Sequence, residues 1–167
     1  MNDLLKLLRR RRSIRRFQDK SIPNGTLETI VDTARFAPTA RNVQPWEFVL
    51  IVQKNKLAEL AKLAENGSFL AQAAACIAVF CADTKYYLED GCAATCNILL
   101  AATALGIGSC WIAGDKKPYC PQVSSLLNSP SGMKLVSLIA LGYPQDKNAF
   151  NEPEKRKLKE LIHWEEF

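Results

Sequence analysis

Several features common in metal sites, membrane proteins and repeat proteins are missing from this sequence. His163 is the only histidine among 167 residues, which leaves few ligands for a zinc site. The six cysteines form no Cys-x-x-Cys pair. Cys92 and Cys96 could share one helix face, as a metal pair would, but the apolar surroundings of most cysteines are typical of buried free thiols. We therefore predict no metal, and a reducing compartment, the cytoplasm.

Long apolar runs, internal repeats and low-complexity tracts are also absent. No stretch reaches the length of about 18 apolar residues that a membrane span requires, so we predict no membrane association. A hydrophobic content of 48% with 23% charged residues is ordinary for a soluble globular protein. The chain length suits a single domain, residues 1–167, in which about 143–167 forms a C-terminal arm. The formal charge of +5 favours anionic ligands without indicating nucleic acid.

Hydrophobic periodicity predicts an α+β domain. Apolar, β-branched runs predict four buried strands, at 47–52, 76–81, 109–112 and 135–142. Helical spacing predicts helices at 4–10, 26–34, 55–66, 89–105, 123–127 and 158–162. Turns are expected at 22–25 and 106–108, Pro38 should stop the second helix, and Gly67 should cap the third.

The helix predicted at 89–105 is apolar or small on nearly every side. A helix of that kind must be surrounded by protein. In a chain of this size, a second subunit is the expected source of part of that cover.

Arginine is concentrated near the start of the chain, around Ser13. The arginines of this run are Arg9, Arg10, Arg11, Arg12, Arg15 and Arg16. Guanidinium groups bind phosphate through charge-assisted, bidentate hydrogen bonds. The same run would also suit a basic helix end, where cations interact favourably with the helix dipole. The residues alone leave both interpretations open.

A second segment, Ala37-Pro-Thr-Ala-Arg-Asn-Val-Gln-Pro-Trp46, reads as a rigid turn that carries amide side chains. Amides donate and accept hydrogen bonds at once, as a polar heterocycle requires. Together with the basic run, this turn suggests a cofactor with a phosphate and a ring.

Four segments, in this order and spacing, make the chain resemble the nitroreductase family of FMN-dependent oxidoreductases. They are Arg11-Arg-Ser-Ile-Arg15, the turn at 37–46, Leu105-Gly-Ile-Gly-Ser-Cys-Trp-Ile112 and Leu141-Gly-Tyr-Pro144. The match continues to His163-Trp164. The resemblance implies an α+β sandwich with a mostly antiparallel central sheet flanked by helices. It also implies an intertwined homodimer with two interfacial FMN sites and an exchanged C-terminal arm.

The resemblance also implies a role for each basic residue. Arg11 and Ser13 would contact the FMN phosphate, and Arg12 would contribute mainly through its backbone. Arg156, or Lys155 as second choice, would add charge from the arm. Arg15 would act catalytically by stabilising negative charge near flavin N1 and O2. A surface ion pair is the alternative for Arg15.

Two further groups would contact the isoalloxazine ring. The first is the turn, in which Pro38, Thr39 and Ala40 from the partner subunit pack on the ring, Asn42 makes a flavin-side contact and Gln44 holds the loop. The second is the segment of Cys110, Trp111, Ile112, Ala113 and Gly114, with backbone N–H groups near N5 and O4. Cys110 is expected to be a core residue and not a catalyst. Asn42 could also close a turn at the end of the preceding helix, which is compatible with its flavin-side contact.

The expected activity is hydride transfer from NADH or NADPH through flavin to nitroaromatics, quinones or similar flat acceptors, in ping-pong order. One alternative is a flavin-binding homodimer with a narrow or no reductase activity. Another is a basic nucleic-acid-binding protein that uses residues 9–16. That class interleaves aromatic with basic residues, and only Phe17 lies close to the run, so we expect no nucleic acid.

Overall fold

The fold is a three-layer sandwich built on one antiparallel sheet, as seen in a computed structural model that describes residues 2–167. Met1, the first residue of the predicted domain, lies outside the described residues. The strands are β1 (Trp46–Ile51), β2 (Ala75–Ala82), β3 (Gly108–Ala113) and β4 (Met133–Gly142), in the spatial order β1-β2-β4-β3. Each neighbouring pair is antiparallel. The predicted α+β class and the antiparallel sheet are confirmed.

Helices cover both faces of the sheet. The helices are α1 (Asp3–Arg10), α2 (Asn24–Ala34), α3 (Lys54–Leu63), α4 (Tyr87–Ala104) and α5 (Cys120–Leu126). One core lies between the sheet and α2 with α4, and a second lies between the sheet and α3 with α5. β2 is central and buried on both faces, so Ile77 and Val79 enter the first core while Ala78 and Phe80 enter the second.

The four predicted strands are present, each within two residues of its expected bounds. The apolar helix at 89–105 is also present, as α4, and begins at Tyr87. Part of it remains uncovered in a single chain, because Cys96 and Ala104 are exposed and Leu100 is only half-buried. Within residues 2–167 we find no helix with both the length and the apolar character needed to cross a bilayer.

Some predicted boundaries were wrong. The third helix ends at Leu63 instead of 66, because the backbone of Ala64 is extended. Gly67 therefore does not cap that helix; it precedes a short 3-10 helix, Ser68–Gln72. The predicted turn at 22–25 overlaps α2, which starts at Asn24 directly after Pro23. The last predicted helix shortens to a 3-10 turn, Leu158–Glu160.

The segment 13–17 is held between β3 and the chain that follows β4. The N–H of Ile14 donates to the carbonyl of Ser109 at 2.8 Å, and Phe17 bridges Pro144. Ile14 and Phe17 are buried, whereas Arg15 and Arg16 between them are exposed. The two apolar side chains therefore anchor the segment and the arginines face outward.

Two glycines that pair across β3 and β4 make room for these anchors. A Cβ at Gly108 would lie 2.9 Å from a side-chain carbon of Ile14, and a Cβ at Gly142 would lie 2.6 Å from a ring carbon of Phe17. Contacts this short do not occur between real side chains and a packed neighbour. Both positions therefore require glycine for the basic segment to lie on the sheet.

Replacing Gly142 with alanine should loosen this segment. We expect Gly142→Ala to lower the free energy of unfolding by about 1–3 kcal/mol, the usual effect of overpacking a core. Gly25→Ala is the matched control, because Gly25 lies in α2 with no atom within 4 Å of the added methyl group. It should be neutral or stabilising by up to about 1 kcal/mol. Urea unfolding measures both, and equal midpoints would contradict the anchoring role of Phe17.

Candidate functional site

A large, open cavity lies along the basic segment. It has a volume of about 790 Å³, within the range of small-molecule sites. One wall is formed by residues 12–16, and the other by Gln145, Asp146, Asn148 and Ala149. The walls are joined by hydrogen bonds from Gln145, whose N–H donates to the carbonyl of Arg16 at 3.1 Å and whose side chain donates to that of Phe17 at 2.8 Å.

The arginines around this cavity differ in how their donors are used. The Arg12 guanidinium donates to the backbone carbonyls of Arg9, Arg11 and Asn151, so its side chain is already engaged. Burial and the neighbouring charge of Arg11 lower the pKa of Arg12. Within the described chain, Arg11, Arg15 and Arg16 make no ion pair. Arg11 does not line the cavity, but Arg12, Arg15 and Arg16 outnumber the acidic Asp146 among the lining residues, so the cavity carries excess positive charge and suits an anion.

A smaller pocket of about 150 Å³ shares Arg15 with this cavity. It brings Arg15 together with Cys110, Trp111, Ile112 and Ala113, four of the residues predicted from the sequence. Phe69 also lines this pocket, with its ring centroid 5.8 Å from the Arg15 guanidinium. Arg15 thus connects a cavity suited to an anion to a pocket in which aromatic and apolar groups lie beside the polar side chains of Glu65, Asn66 and Lys117.

The groups at the end of β3 are largely occupied by bonds within the chain. The N–H of Gly114 donates to the carbonyl of Val136 at 3.0 Å, so that donor is already used. The carbonyls of Ala113 and Gly114 accept from the side chains of Tyr119 and Cys120. These bonds fix the β3 end rigidly beside the pocket.

Cys110 is placed as a core residue. Burial raises the pKa of its thiol, and the charges of Arg15 and Arg11, with a hydrogen bond to Ser13, act in the opposite direction. A thiol with a raised pKa is a poor nucleophile at neutral pH. In the described part of the chain no group of His, Cys, Asp and Glu side chains could hold a metal.

The turn at 39–44 is a separate feature, held by a buried carboxylate. Asp90 is 5% exposed and accepts from Thr39 Oγ1 at 2.8 Å and from the N–H of Ala40 at 3.1 Å. The N–H of Gln44 donates to Thr39 Oγ1 at 3.1 Å, which closes the loop. Arg41, Asn42 and Gln44 have φ of 56°, 57° and 52°, in the left-handed region. Of the three, only Asn42 is a residue type that adopts this region readily.

The predicted residues fall into three separate places in one chain. Arg12, Ser13 and Arg15 line the cavity, and Arg15 and 110–113 line the smaller pocket. The turn residues lie elsewhere, on the Asp90 side. Arg11 and Gly114 line neither the cavity nor the smaller pocket. Lys155 and Arg156 lie in the exposed tail and line neither cavity; the Arg156 guanidinium is 4.0 Å from the Glu160 carboxylate.

Sequence reasoning missed several residues that border these places. The most important are Phe69, Gln145 and Asp90. Asp90 carried a weak signal, since it and Glu89 are acidic residues in the first turn of a mostly apolar helix, although nothing in the sequence indicates which groups Asp90 binds. Phe69 and Gln145 carried none, because their positions depend on how distant segments pack.

Two family models together match most of the chain. Residues 8–82 match the model described as "Nitroreductase family". Residues 59–167 match the model described as "Putative TM nitroreductase".

Three similar proteins agree with these matches. A curated protein of Archaeoglobus fulgidus, named "Putative NADH dehydrogenase/NAD(P)H nitroreductase", is 36% identical, and the alignment covers 100% of both chains. A solved structure with the same name from Bacteroides thetaiotaomicron has a TM-score of 0.93 at 27% identity, covering 100% of this chain and 99% of that one. A solved structure from Desulfovibrio desulfuricans, described as a "putative nitroreductase in complex with fmn", has a TM-score of 0.82 at 29% identity, covering 100% of this chain and 99% of that one.

Removing the Asp90 carboxylate should release the turn at 39–44. We expect Asp90→Ala to lower the free energy of unfolding by about 1.5–3 kcal/mol, as for the loss of a buried charged hydrogen-bond acceptor. Trypsin should also cut faster after Arg41, because the loop loses both bonds that hold it. Glu89→Ala is the matched control, since it removes an exposed charge from the same helix turn. Equal cleavage rates in the two variants would contradict the holding role of Asp90.

Proposed function

The chain belongs to the nitroreductase family, and on that premise we propose that it is an FMN-dependent NAD(P)H oxidoreductase acting on nitroaromatic, quinone or similar flat acceptors. One observation carries the proposal. Arg15 borders both a cavity with excess positive charge and a pocket that combines aromatic and apolar groups with polar ones. A cofactor with a phosphate at one end and a flat ring at the other fits that combination.

The residues of the basic segment are proposed to hold this cofactor. Arg11 and Ser13 bind the phosphate, and Arg12 contributes its backbone because its side-chain donors are engaged within the chain. Bound FMN supplies the capacity to accept and donate hydride. Arg15 supplies a fixed positive charge for the part of the ring that becomes negative on reduction.

The rest of the site is proposed to come from a second copy of the chain. The face that α4 shares with α1 and α2 carries an open apolar groove of about 390 Å³. The tail exposes large apolar side chains, among them Leu158 at 69% and Trp164 at 82%. Burying both in a homodimer would remove this surface from water. In that dimer, the turn at 38–44 and the arm with Lys155 and Arg156 complete the site of the partner subunit.

Reductant and acceptor are proposed to bind one after the other in the same pocket, so that the reaction follows a ping-pong order. No histidine lines the cavity or the smaller pocket. The residues there would therefore act by positioning the reactants and by supplying positive charge. The six cysteines, all free, are consistent with a reducing compartment, for which we propose the cytoplasm.

Colour and bleaching test the proposed activity. Purified protein should be yellow, should bleach anaerobically with NADH or NADPH, and should regain its colour on addition of a quinone. Initial rates at several fixed acceptor concentrations should give parallel double-reciprocal lines, and the protein should sediment as a dimer. A yellow protein that neither nicotinamide bleaches would indicate a flavin binder without this activity. A colourless protein that takes up no FMN would refute the proposal.

Two arginine variants separate cofactor retention from reduction. Arg11→Ala should weaken FMN retention by about 10-fold or more, because one charge-assisted phosphate contact is lost. Arg15→Ala should retain FMN but slow its reduction, since the charge that favours reduced flavin is gone. Arg10→Ala, which removes an exposed arginine at the end of α1, is the control and should change neither. FMN release is followed by ultrafiltration and reduction by stopped flow. Normal reduction in Arg15→Ala would eliminate the catalytic role.

A further inference from the structure

A third pocket, apart from the two that hold Arg15, lies between the turn at 40–43 and residues 84–90. It has a volume of about 180 Å³. Arg41 and Lys85 supply its cations, Thr84 and Tyr86 supply a hydroxyl and an aromatic ring, and Asp90 borders it. None of these residues has a part in the basic segment at 11–16.

The charges of this pocket are unbalanced in favour of an anion. Within the described chain neither Arg41 nor Lys85 makes an ion pair or a side-chain hydrogen bond, and the Lys85 ammonium lies 5.2 Å from the centroid of the Tyr86 ring. The Asp90 carboxylate is buried and already accepts from Thr39 and Ala40. The pocket therefore has two cations, Arg41 and Lys85, and one carboxylate, that of Asp90, whose hydrogen bonds go to Thr39 and Ala40.

The backbone at Arg41 shows that its position is imposed by the surrounding structure. A left-handed conformation costs a residue such as arginine about 1–2 kcal/mol, and glycine or asparagine would adopt it with less strain. The bonds from Asp90 and Thr39 hold this turn in place. Sites that hold a residue in a strained backbone conformation are frequently binding sites.

We propose that Arg41 and Lys85 form a subsite for an anionic oxygen group, carboxylate or phosphate, of a substrate. The inference rests on the proposed function, in which the turn at 38–44 borders the flavin of the partner subunit. The protein is then selective for anionic substrates. Arginine binds such groups through paired hydrogen bonds, and Tyr86 offers a ring face beside them.

Substrate pairs that differ in charge test the subsite. For the acceptor, 4-nitrobenzoate is compared with the neutral 4-nitrobenzamide, and for the reductant, NADPH is compared with NADH. The double variant Arg41→Asn with Lys85→Gln should lower kcat/KM about tenfold for the anionic member of at least one pair, and less than about twofold for its counterpart. Calorimetric titration of 4-nitrobenzoate into the oxidised, flavin-loaded dimer gives a readout independent of turnover.

The variants are chosen so that a distorted loop cannot imitate the result. Asparagine suits a left-handed backbone, so Arg41→Asn removes the charge without adding strain. Arg41→Lys restores a cation and should recover part of the lost selectivity. Lys62→Gln removes a charge from the exposed face of α3 and should leave all four substrates unchanged.

Each outcome decides the proposal. A loss confined to 4-nitrobenzoate assigns the subsite to the acceptor, and a loss confined to NADPH assigns it to the phosphate of the reductant. Equal changes within both pairs, with FMN bound and 4-nitrobenzamide still reduced, would overturn the subsite and leave the proposed function intact. A dimer that binds no flavin would overturn both.

Discussion

The attachment of residues 13–17 to the sheet is the constraint on which the candidate site depends. Ile14 and Phe17 occupy space that exists only because Gly108 and Gly142, which pair across two strands, have no side chains. Because the residues on both sides of them are buried, Arg15 and Arg16 are directed outward. A flexible basic tail could bind phosphate loosely, whereas this anchored segment holds its charge at one place beside the end of β3.

A second constraint acts on the turn at 39–44, away from the basic segment. The Asp90 carboxylate fixes the turn at 39–44 by accepting hydrogen bonds from the Thr39 hydroxyl and the Ala40 N–H. These bonds hold the turn in a conformation that an isolated loop would not retain. The turn and the basic segment lie in different pockets of one chain. The two constraints therefore prepare two half-sites, and a second copy of the chain is the natural way to bring them together. The uncovered apolar face of α4 and the exposed tail are consistent with that assembly.

Much of the fold could be predicted, and the errors have identifiable causes. The strands were found because long apolar, β-branched runs leave little choice between buried structures. Gly67 was wrongly predicted to cap the third helix, because a glycine after a helical pattern usually indicates a cap. The helix ends earlier, at Leu63, since the backbone of Ala64 is extended. For the site, Arg15 and 110–113 do meet in one pocket, while Lys155 and Arg156 lie outside both cavities of the single chain. Asp90 was not recognised, because its partners are about fifty residues away and no local pattern identifies them.

The sequence by itself determined the secondary structure, the positive charge near the amino terminus and the family, because these depend on residue type and short-range spacing. Tertiary structure alone decided which charges remain unpaired. Arg12 became engaged with carbonyls that include that of the distant Asn151, while Arg11 and Arg15 stayed available. The turn that carries Arg41 was held by the Asp90 carboxylate of α4, in a pocket that Lys85 also lines. The physical reason is that hydrogen bonds and burial join segments far apart in the chain, and composition does not encode which partner each polar group will find.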